Sequence, residues 1–205
     1  MLVALEPFSG KRRPQFDSPA VSHLSTLFKT PARRSPPSYS SPFVGRSEVL
    51  KTAVNSATDF CMILPKNAHT NIGDSEHPGG MSNYCSREGL HNAPNAGSLP
   101  DNFWRNVEYK TGNGFVQLTG CINAASVEQL NVNDDGGQYD SSGGAGGHGN
   151  PRGSICVGYN HYVELVEPAG SRACIRCCNN PTDCPTTTDR SGCPKVIPGN
   201  YFDCA

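Results

Sequence analysis

The chain of 205 residues has the length of a single domain of common size, and its formal net charge is −1. Its apolar runs fall far short of the roughly 20 residues of a membrane-spanning helix. The near-neutral charge conceals a basic first part, because residues 1–60 carry eight Lys or Arg against four Asp or Glu. The short apolar runs predict that no segment spans a membrane. No interleaving of aromatic and basic residues accompanies the basic charge, so we predict no nucleic-acid partner.

Residues 1–56 are rich in Ser, Pro and Arg and are predicted to form a disordered tail, because their prolines interrupt any helix. The apolar run at positions 2–5 is shorter than the roughly 7 to 15 residues of a signal-peptide core, and the prolines disfavour a mitochondrial transit peptide. The cysteines described below nevertheless indicate export. We therefore hypothesise that the first ~45 residues are a mispredicted start and that a signal peptide is encoded upstream.

Residues 57–205 are predicted to form one domain. It begins with the first dense apolar run, Phe60–Leu64, which ends at a proline. Turn-forming residues dominate 67–98, so we predict a loop there that is held by Cys61 and Cys85, with a short helix at 80–87.

A β-hairpin is predicted from Trp104–Lys110 and Phe115–Ile122, which alternate in polarity on either side of an Asn-Gly turn signal. Two helical turns are expected over 123–130, a strand over 155–166 and a short strand over 173–176. Together these elements predict a mainly β fold with small α content. We expect a single disulfide-rich and loop-rich domain that follows a disordered N-terminal tail.

Ten cysteines, all beyond residue 60, favour a disulfide framework over a zinc site, because zinc sites usually combine two close thiolate pairs and only Cys174 and Cys177 are so spaced. Cys177 and Cys178 point to opposite sides of an extended segment, so we expect them to tie it to two different places. Their pairing does not follow from the sequence. The predicted disulfide cysteines are Cys61, Cys85, Cys121, Cys156, Cys174, Cys177, Cys178, Cys184, Cys193 and Cys204.

The polar segment 131–153 contains eight glycines and is predicted to be a long loop, and long loops within compact domains are often functional. We take Asp134, Asp135, Tyr139 and Asp140 as its candidate ligand-contacting residues.

The same segment begins like a calcium-binding loop, with Asn131, Asn133 and Asp135 at alternate positions and Gly136 at the sixth. Ser142 occupies the twelfth position, where a bidentate Glu is required, so an EF-hand is not expected. A looser oxygen site that includes Asp134 and Asp140 remains an alternative, beside a solvated acidic turn.

The sequence contains no nucleophile elbow, zinc-protease motif, phosphate-binding loop or dinucleotide fingerprint, and we predict no catalytic residue and no cofactor. His161 and Glu164 have the spacing of a helical ligand pair, but on a strand they would face opposite sides. Glycoside chemistry would require two carboxylates, and the spacing of Asp134, Asp135, Asp140 and Glu164 singles out no pair.

Seven ordered blocks of the sequence carry a further signal, and they are Phe115–Gly120, Leu130–Asn131, Asp135–Asp140, Gly149–Pro151, Tyr162–Pro168, Ala173–Cys178 and Gly192–Pro194. In these blocks the chain resembles a group of fungal secreted cysteine-rich proteins, some of which are catalogued as macrofage-activating-glycoprotein-like. The resemblance covers roughly residues 58 to 205 and does not include the tail.

The resemblance implies an extracellular, disulfide-stapled fungal protein without an established reaction, and it assigns no catalytic residue. Our leading hypothesis is a secreted, non-enzymatic cell-surface or host-interaction factor that contacts cell-wall polysaccharide or a host surface through the glycine-rich loop and aromatic residues such as Trp104, Tyr139 and Tyr159. The alternative is a small polysaccharide-active hydrolase that uses Asp residues of that loop. A weaker alternative is a zinc-stabilised intracellular module. No oligomeric state is indicated.

Overall fold

The computed structural model of the protein describes residues 49–142, 150–188 and 190–204. Most of the predicted tail and residues 143–149 of the glycine-rich segment lie outside this range. The described chain is mainly β, as predicted, and its ten strands form two five-stranded sheets. The strands are β1 (Lys51–Val54), β2 (Phe60–Pro65), β3 (Met81–Cys85), β4 (Gly97–Ser98), β5 (Trp104–Gly112), β6 (Phe115–Ile122), β7 (Gly137–Asp140), β8 (Ile155–Cys156), β9 (His161–Glu167) and β10 (Arg172–Cys178).

Helical structure in the described residues is confined to short segments. There are two four-residue helices, α1 (Ile72–Ser75) and α2 (Cys193–Val196), in the part of the chain that is described. Single 3₁₀ turns lie at Gly89–His91, Ala124–Ser126 and Pro181–Asp183.

The first sheet has the strand order β4-β3-β2-β1-β8, and the second has the order β5-β6-β10-β9-β7. β2, in the middle of the first sheet, is buried along its whole length, as its apolar sequence predicts. Alternate residues of the second sheet, among them Leu118, Ile122 and Ile175, join Met62 and Leu64 of β2 in the larger core cluster. This core unites side chains of both sheets, and the alternation predicted for Phe115–Ile122 is confirmed.

The C-terminal segment covers the opposite face of the second sheet. Val196 and Ile197 pack with Val163 and Leu165 of β9 in a second buried cluster. The Pro198 carbonyl accepts a hydrogen bond from the Gln117 side chain at 3.2 Å. Two disulfides, Cys174–Cys193 and Cys121–Cys204, attach this segment to β10 and β6 of the sheet.

Five disulfides pair all ten cysteines, so no thiolate is available for a zinc site. Cys177 and Cys178 do project in opposite directions, one toward the larger core and the other toward the C-terminal segment. Cys61 and Cys85 stand directly opposite each other on β2 and β3. The pairs are Cys61–Cys85, Cys121–Cys204, Cys156–Cys177, Cys174–Cys193 and Cys178–Cys184.

The predicted hairpin is present, but other local predictions are corrected. Residues 80–87 contain strand β3 instead of a helix, because this segment pairs along β2. The helix predicted over 123–130 is reduced to the 3₁₀ turn at 124–126. The strand predicted over 155–166 is divided into β8 and β9, with Gly158 at φ 84° in the connection. β1 starts at Lys51, ahead of the domain start predicted at 57, since it pairs with both β2 and β8.

Candidate aromatic binding cleft

A cleft of about 430 Å³ is lined by Ala57, Thr58 and Phe60 at the start of β2, by the segments that follow β3 and β4, and by the first residues of β5. Its volume falls within the roughly 300–1,000 Å³ of ordinary ligand pockets. Apolar side chains line its interior, and charged side chains stand at its edge. Pockets with mostly aromatic walls and a few polar groups are the usual form of small-ligand sites.

Three aromatic rings form one wall of the cleft. Phe103 meets Trp104 edge-on, with ring centroids 5.0 Å apart and an interplanar angle of 68°. Phe60 lies 5.9 Å from Trp104 and 6.2 Å from Phe103, measured between ring centroids. Phe60 and Phe103 are buried, whereas Trp104 is partly exposed. Trp104 is therefore the ring that can present surface to a ligand, supported from behind by the two phenylalanines.

A turn at residues 100–103 positions both the aromatic rings of the wall, Phe103 and Trp104, and the charged edge residue Asp101. The Phe103 N–H donates to the Pro100 carbonyl at 2.9 Å, which closes the turn. The Phe103 carbonyl then accepts from the Asn123 N–H at 2.7 Å. This geometry turns Phe103 inward, leaves Asp101 exposed, and places Trp104 at the start of β5.

The edge of the cleft carries charged groups held near its mouth. Arg87 forms an ion pair with Asp101, and both side chains are largely exposed. The Thr58 hydroxyl donates to the Glu88 carboxylate. The Ser86 hydroxyl, by contrast, is engaged with the backbone, because it accepts from the Phe60 N–H and the Gly89 N–H, each at 3.1 Å. The edge therefore offers one guanidinium and two carboxylates to polar groups of a ligand.

The indole Nε1 of Trp104 is enclosed and has no hydrogen-bond partner within the described chain. An indole N–H is a donor only, and buried donors usually find an acceptor. Trp104 therefore brings both an aromatic ring and an unpaired donor to the wall of the cleft.

A second cavity of about 1,070 Å³ is bounded by residues of β1, β3 and the segment 92–97. Lys51, Lys66 and Tyr84 contribute to its lining, together with Asn92 and Asn95. Its lining contains one aromatic ring, that of Tyr84, whereas three aromatic rings line the first cleft. The aromatic cleft is therefore the stronger candidate site.

The structure places the candidate ligand-loop residues differently from the expectation of an exposed loop. Tyr139 and Asp140 belong to β7, which pairs with β9, and both are fully buried. The Tyr139 hydroxyl lies 2.7 Å from the Ser75 hydroxyl. Burial raises the pKa of this tyrosine well above its ordinary value. Neither residue is available to a polysaccharide at the surface.

The two remaining aspartates of the segment, Asp134 and Asp135, precede strand β7. Asp134 accepts the Ile72 N–H at 2.7 Å, so its carboxylate stabilises the start of α1. Asp135 is exposed. The segment therefore does not present Asp134, Asp135 and Asp140 as one exposed carboxylate group, because Asp140 is buried and Asp134 is partly buried.

The calcium-like spacing of Asn131, Asn133 and Asp135 forms a local turn. The Asn131 amide nitrogen donates to the Asn71 side chain at 2.7 Å, and its oxygen accepts the Asn133 N–H at 3.1 Å. Within the described residues, no group of three or more His, Cys, Asp or Glu side chains has the geometry of a metal site.

His161 and Glu164 do face different environments, as their strand spacing predicts. Glu164 is fully buried, whereas His161 is partly exposed at the start of β9. Tyr159, proposed as a surface aromatic, packs partly buried against the larger core. Of the three aromatic residues expected to contact sugar, Trp104 alone lines the aromatic cleft.

Sequence reasoning missed Phe60, Phe103, Arg87, Glu88 and Asp101 as neighbours of Trp104. These residues come from separate segments that the pairing of β2 with β3 and the turn at 100–103 bring together. The one local signal was the Pro-Asp-Asn sequence before Phe103, which is typical of a turn.

Comparison with protein-family models, with curated proteins and with solved structures finds no match to the chain. No helix among the described residues is long and apolar enough to span a membrane. Five disulfides in one domain are typical of proteins that fold in an oxidising compartment.

Proposed function

We propose that the protein is a secreted, non-enzymatic, cysteine-rich protein of the fungal surface, which binds cell-wall polysaccharide in the aromatic cleft. The observation that carries the proposal is the cleft of about 430 Å³, in which Trp104 stands beside a charged edge. The extracellular setting rests on the disulfide content, and the fungal setting rests on the sequence resemblance.

The chemistry of a pyranose ring fits this arrangement. A sugar ring has an apolar C–H face, which packs on an aromatic ring, and hydroxyls around its edge. Carboxylates accept hydrogen bonds from such hydroxyls, and a guanidinium donates to them. Asp101, Glu88 and Arg87 are exposed at the mouth, while Trp104 offers the apolar surface.

Fluorescence offers a direct test, because Trp104 is the single tryptophan of the chain. The full chain, expressed through an oxidising route, is titrated with soluble chitin, β-glucan and mannan oligosaccharides. We expect a saturable change in tryptophan emission with one of these series. Retention of the protein on the corresponding insoluble polysaccharide should follow the same preference.

Two variants locate the binding. Asp101→Ala and Arg87→Ala remove exposed edge groups and should weaken both signals by about tenfold, the effect of losing roughly 1.4 kcal/mol. Tyr109→Ala is the matched control, because Tyr109 is an exposed aromatic of β5 that does not line the cleft. Equal binding by all variants, or no emission change with any of the three series, would refute this function.

The same titrations separate binding from hydrolysis. A binding protein releases no reducing sugar from the polysaccharide that retains it, whereas a hydrolase does. Release that disappears in the Asp101→Ala variant would replace the non-enzymatic proposal. Retention on host glycans, without retention on wall polysaccharide, would overturn the cell-wall assignment.

A further inference from the structure

Asp140, at the end of β7, is the centre of a buried oxygen-rich cluster that does not belong to the aromatic cleft. Its Oδ1 accepts hydrogen bonds from the Ser142 N–H at 2.7 Å and from the Ser142 hydroxyl at 2.8 Å. Its Oδ2 accepts from Gln138 Nε2 and from Asn150 Nδ2, each at 2.9 Å. Asp140 itself is fully buried.

The two amides that contact Asp140 leave their oxygens unpaired. Gln138 is 2% exposed and Asn150 is 8% exposed. The Oε1 of Gln138 and the Oδ1 of Asn150 are both buried, and neither has a donor among the described residues. A buried acceptor without a donor destabilises the folded state, so two of them beside one carboxylate require an explanation.

We propose that Asp140, Gln138 and Asn150 bind a calcium ion. Hard cations such as calcium are bound by carboxylate, amide and hydroxyl oxygens, which are the groups gathered here. The nitrogen and oxygen of an amide group have nearly the same shape. If both amide groups are rotated by half a turn, their carbonyl oxygens replace the nitrogens that now lie beside Asp140 Oδ2. A cation between these three oxygens would be bound by all of them.

Calcium fits the cluster better than magnesium or zinc. Magnesium keeps most of its water shell, and zinc prefers nitrogen and sulfur ligands. Gln138 and Asp140 are held on the same face of β7 by pairing with β9, which fixes two of the ligands on a strand. With one carboxylate among the ligands, the affinity should resemble that of extracellular modules, with Kd of roughly 10⁻⁴ to 10⁻³ M.

The first test uses terbium, which occupies calcium sites and is excited through nearby tyrosines. Tyr139 precedes Asp140 directly, and Tyr162 precedes Val163, the residue of β9 that pairs with Asp140. We expect tyrosine-sensitised terbium emission from the full chain, displaced by calcium at millimolar concentration. Asp140→Asn should weaken calcium binding about tenfold or more, because it removes the charged ligand. Asp135→Asn, which changes an exposed neighbour, should bind like the wild type.

The second test uses Gln138→Glu, which gives opposite results for a cation site and for a purely structural cluster. A second carboxylate beside Asp140 should strengthen calcium binding and enlarge the rise in Tm that calcium produces. Without a bound cation, the same substitution only adds like-charge repulsion and lowers Tm. The absence of any calcium-dependent change in both wild type and Gln138→Glu, or terbium emission that calcium does not displace, would overturn the proposal.

Discussion

Glu164 of β9 accepts hydrogen bonds from the Ile63 N–H of β2, at 3.0 Å to one carboxylate oxygen and 3.2 Å to the other. The two residues belong to different sheets, so this hydrogen bond connects the two sheets directly. Glu164 has no exposed surface, and burial raises its pKa well above the ordinary value, although the hydrogen bond from Ile63 opposes the shift. The core therefore contains an acid that favours its neutral form.

The raised pKa makes the stability of the domain depend on pH in a defined direction. Below pH 4.5, the ordinary pKa of Glu, this carboxyl is protonated in both the folded and the unfolded chain. Above that value the unfolded chain releases the proton first, so the free energy of unfolding falls until the pKa of folded Glu164 is passed. Between pH 4.5 and the pKa of folded Glu164, each pH unit lowers the free energy of unfolding by about 1.4 kcal/mol, because one proton is involved.

Glu164→Gln should remove this dependence, because glutamine stays neutral and still offers an oxygen to the Ile63 N–H. We expect the variant to equal or exceed the wild type in stability at neutral pH, with a flatter profile above pH 4.5. Urea unfolding at a series of pH values measures this. Glu128→Gln, at an exposed position, is the control and should keep the wild-type profile. An unchanged profile in Glu164→Gln would contradict the assignment.

Two disulfides should differ in their contribution to stability because they close loops of different length. Cys121–Cys204 links residues 83 positions apart, whereas Cys178–Cys184 links residues 6 positions apart. The chain-entropy relation assigns about 4.5 kcal/mol to the longer loop and about 2 kcal/mol to the shorter. We therefore expect the Cys121→Ala/Cys204→Ala pair to lose roughly twice as much unfolding free energy as the Cys178→Ala/Cys184→Ala pair. Equal losses would indicate that packing, and not loop closure, decides the effect.

The sequence predicted those parts of the fold in which neighbouring residues determine the outcome. The hairpin of β5 and β6 follows from alternation around an Asn-Gly turn, and the opposite directions of Cys177 and Cys178 follow from strand geometry. β3 was missed because Met81–Cys85 has little strand character and acquires its conformation by pairing with β2.

The candidate site was less predictable, because it depends on contacts between distant segments. Phe60 and Trp104 are far apart in the chain, yet their ring centroids lie 5.9 Å apart. Tyr139 and Asp140 were read as exposed because glycines and polar residues surround them, whereas edge pairing of β7 with β9 buries them. Composition predicted a polar loop around these residues, and it could not reveal that a strand lies within it.

Gly120 of β6 controls the position of β5 and, with it, the position of Trp104. A Cβ at Gly120 would lie 2.1 Å from the Asn106 carbonyl oxygen, close to the bulge between Trp104 and Asn106. Gly120→Ala should therefore displace the start of β5, destabilise the domain and shift the emission of Trp104 even without ligand. Gly73→Ala is the control, since a Cβ at Gly73 would meet nothing within 4 Å. Wild-type emission and stability in Gly120→Ala would contradict this role.

Glu167 should contribute more to stability than the exposed ion pair at the cleft. Glu167 accepts from Arg172 Nε at 2.7 Å and from the Cys193 N–H at 3.1 Å, so it connects β9 to β10 and to α2. The Glu167 side chain is 10% exposed, whereas those of Arg87 and Asp101 are 77% and 68% exposed. Glu167→Gln should lower the free energy of unfolding by about 1–3 kcal/mol, and Asp101→Asn by less than about 1 kcal/mol.

Urea unfolding of both variants at neutral pH measures the difference, with Arg87→Ala as a second exposed-pair variant. A small loss for Asp101→Asn matters for the binding experiments, because it means that weaker sugar binding after a change at Asp101 reports on the edge of the cleft and not on unfolding. A loss at Asp101 as large as that at Glu167 would show that the exposed pair stabilises the fold. In that case Trp104 emission would have to be compared between variants at equal folded fraction.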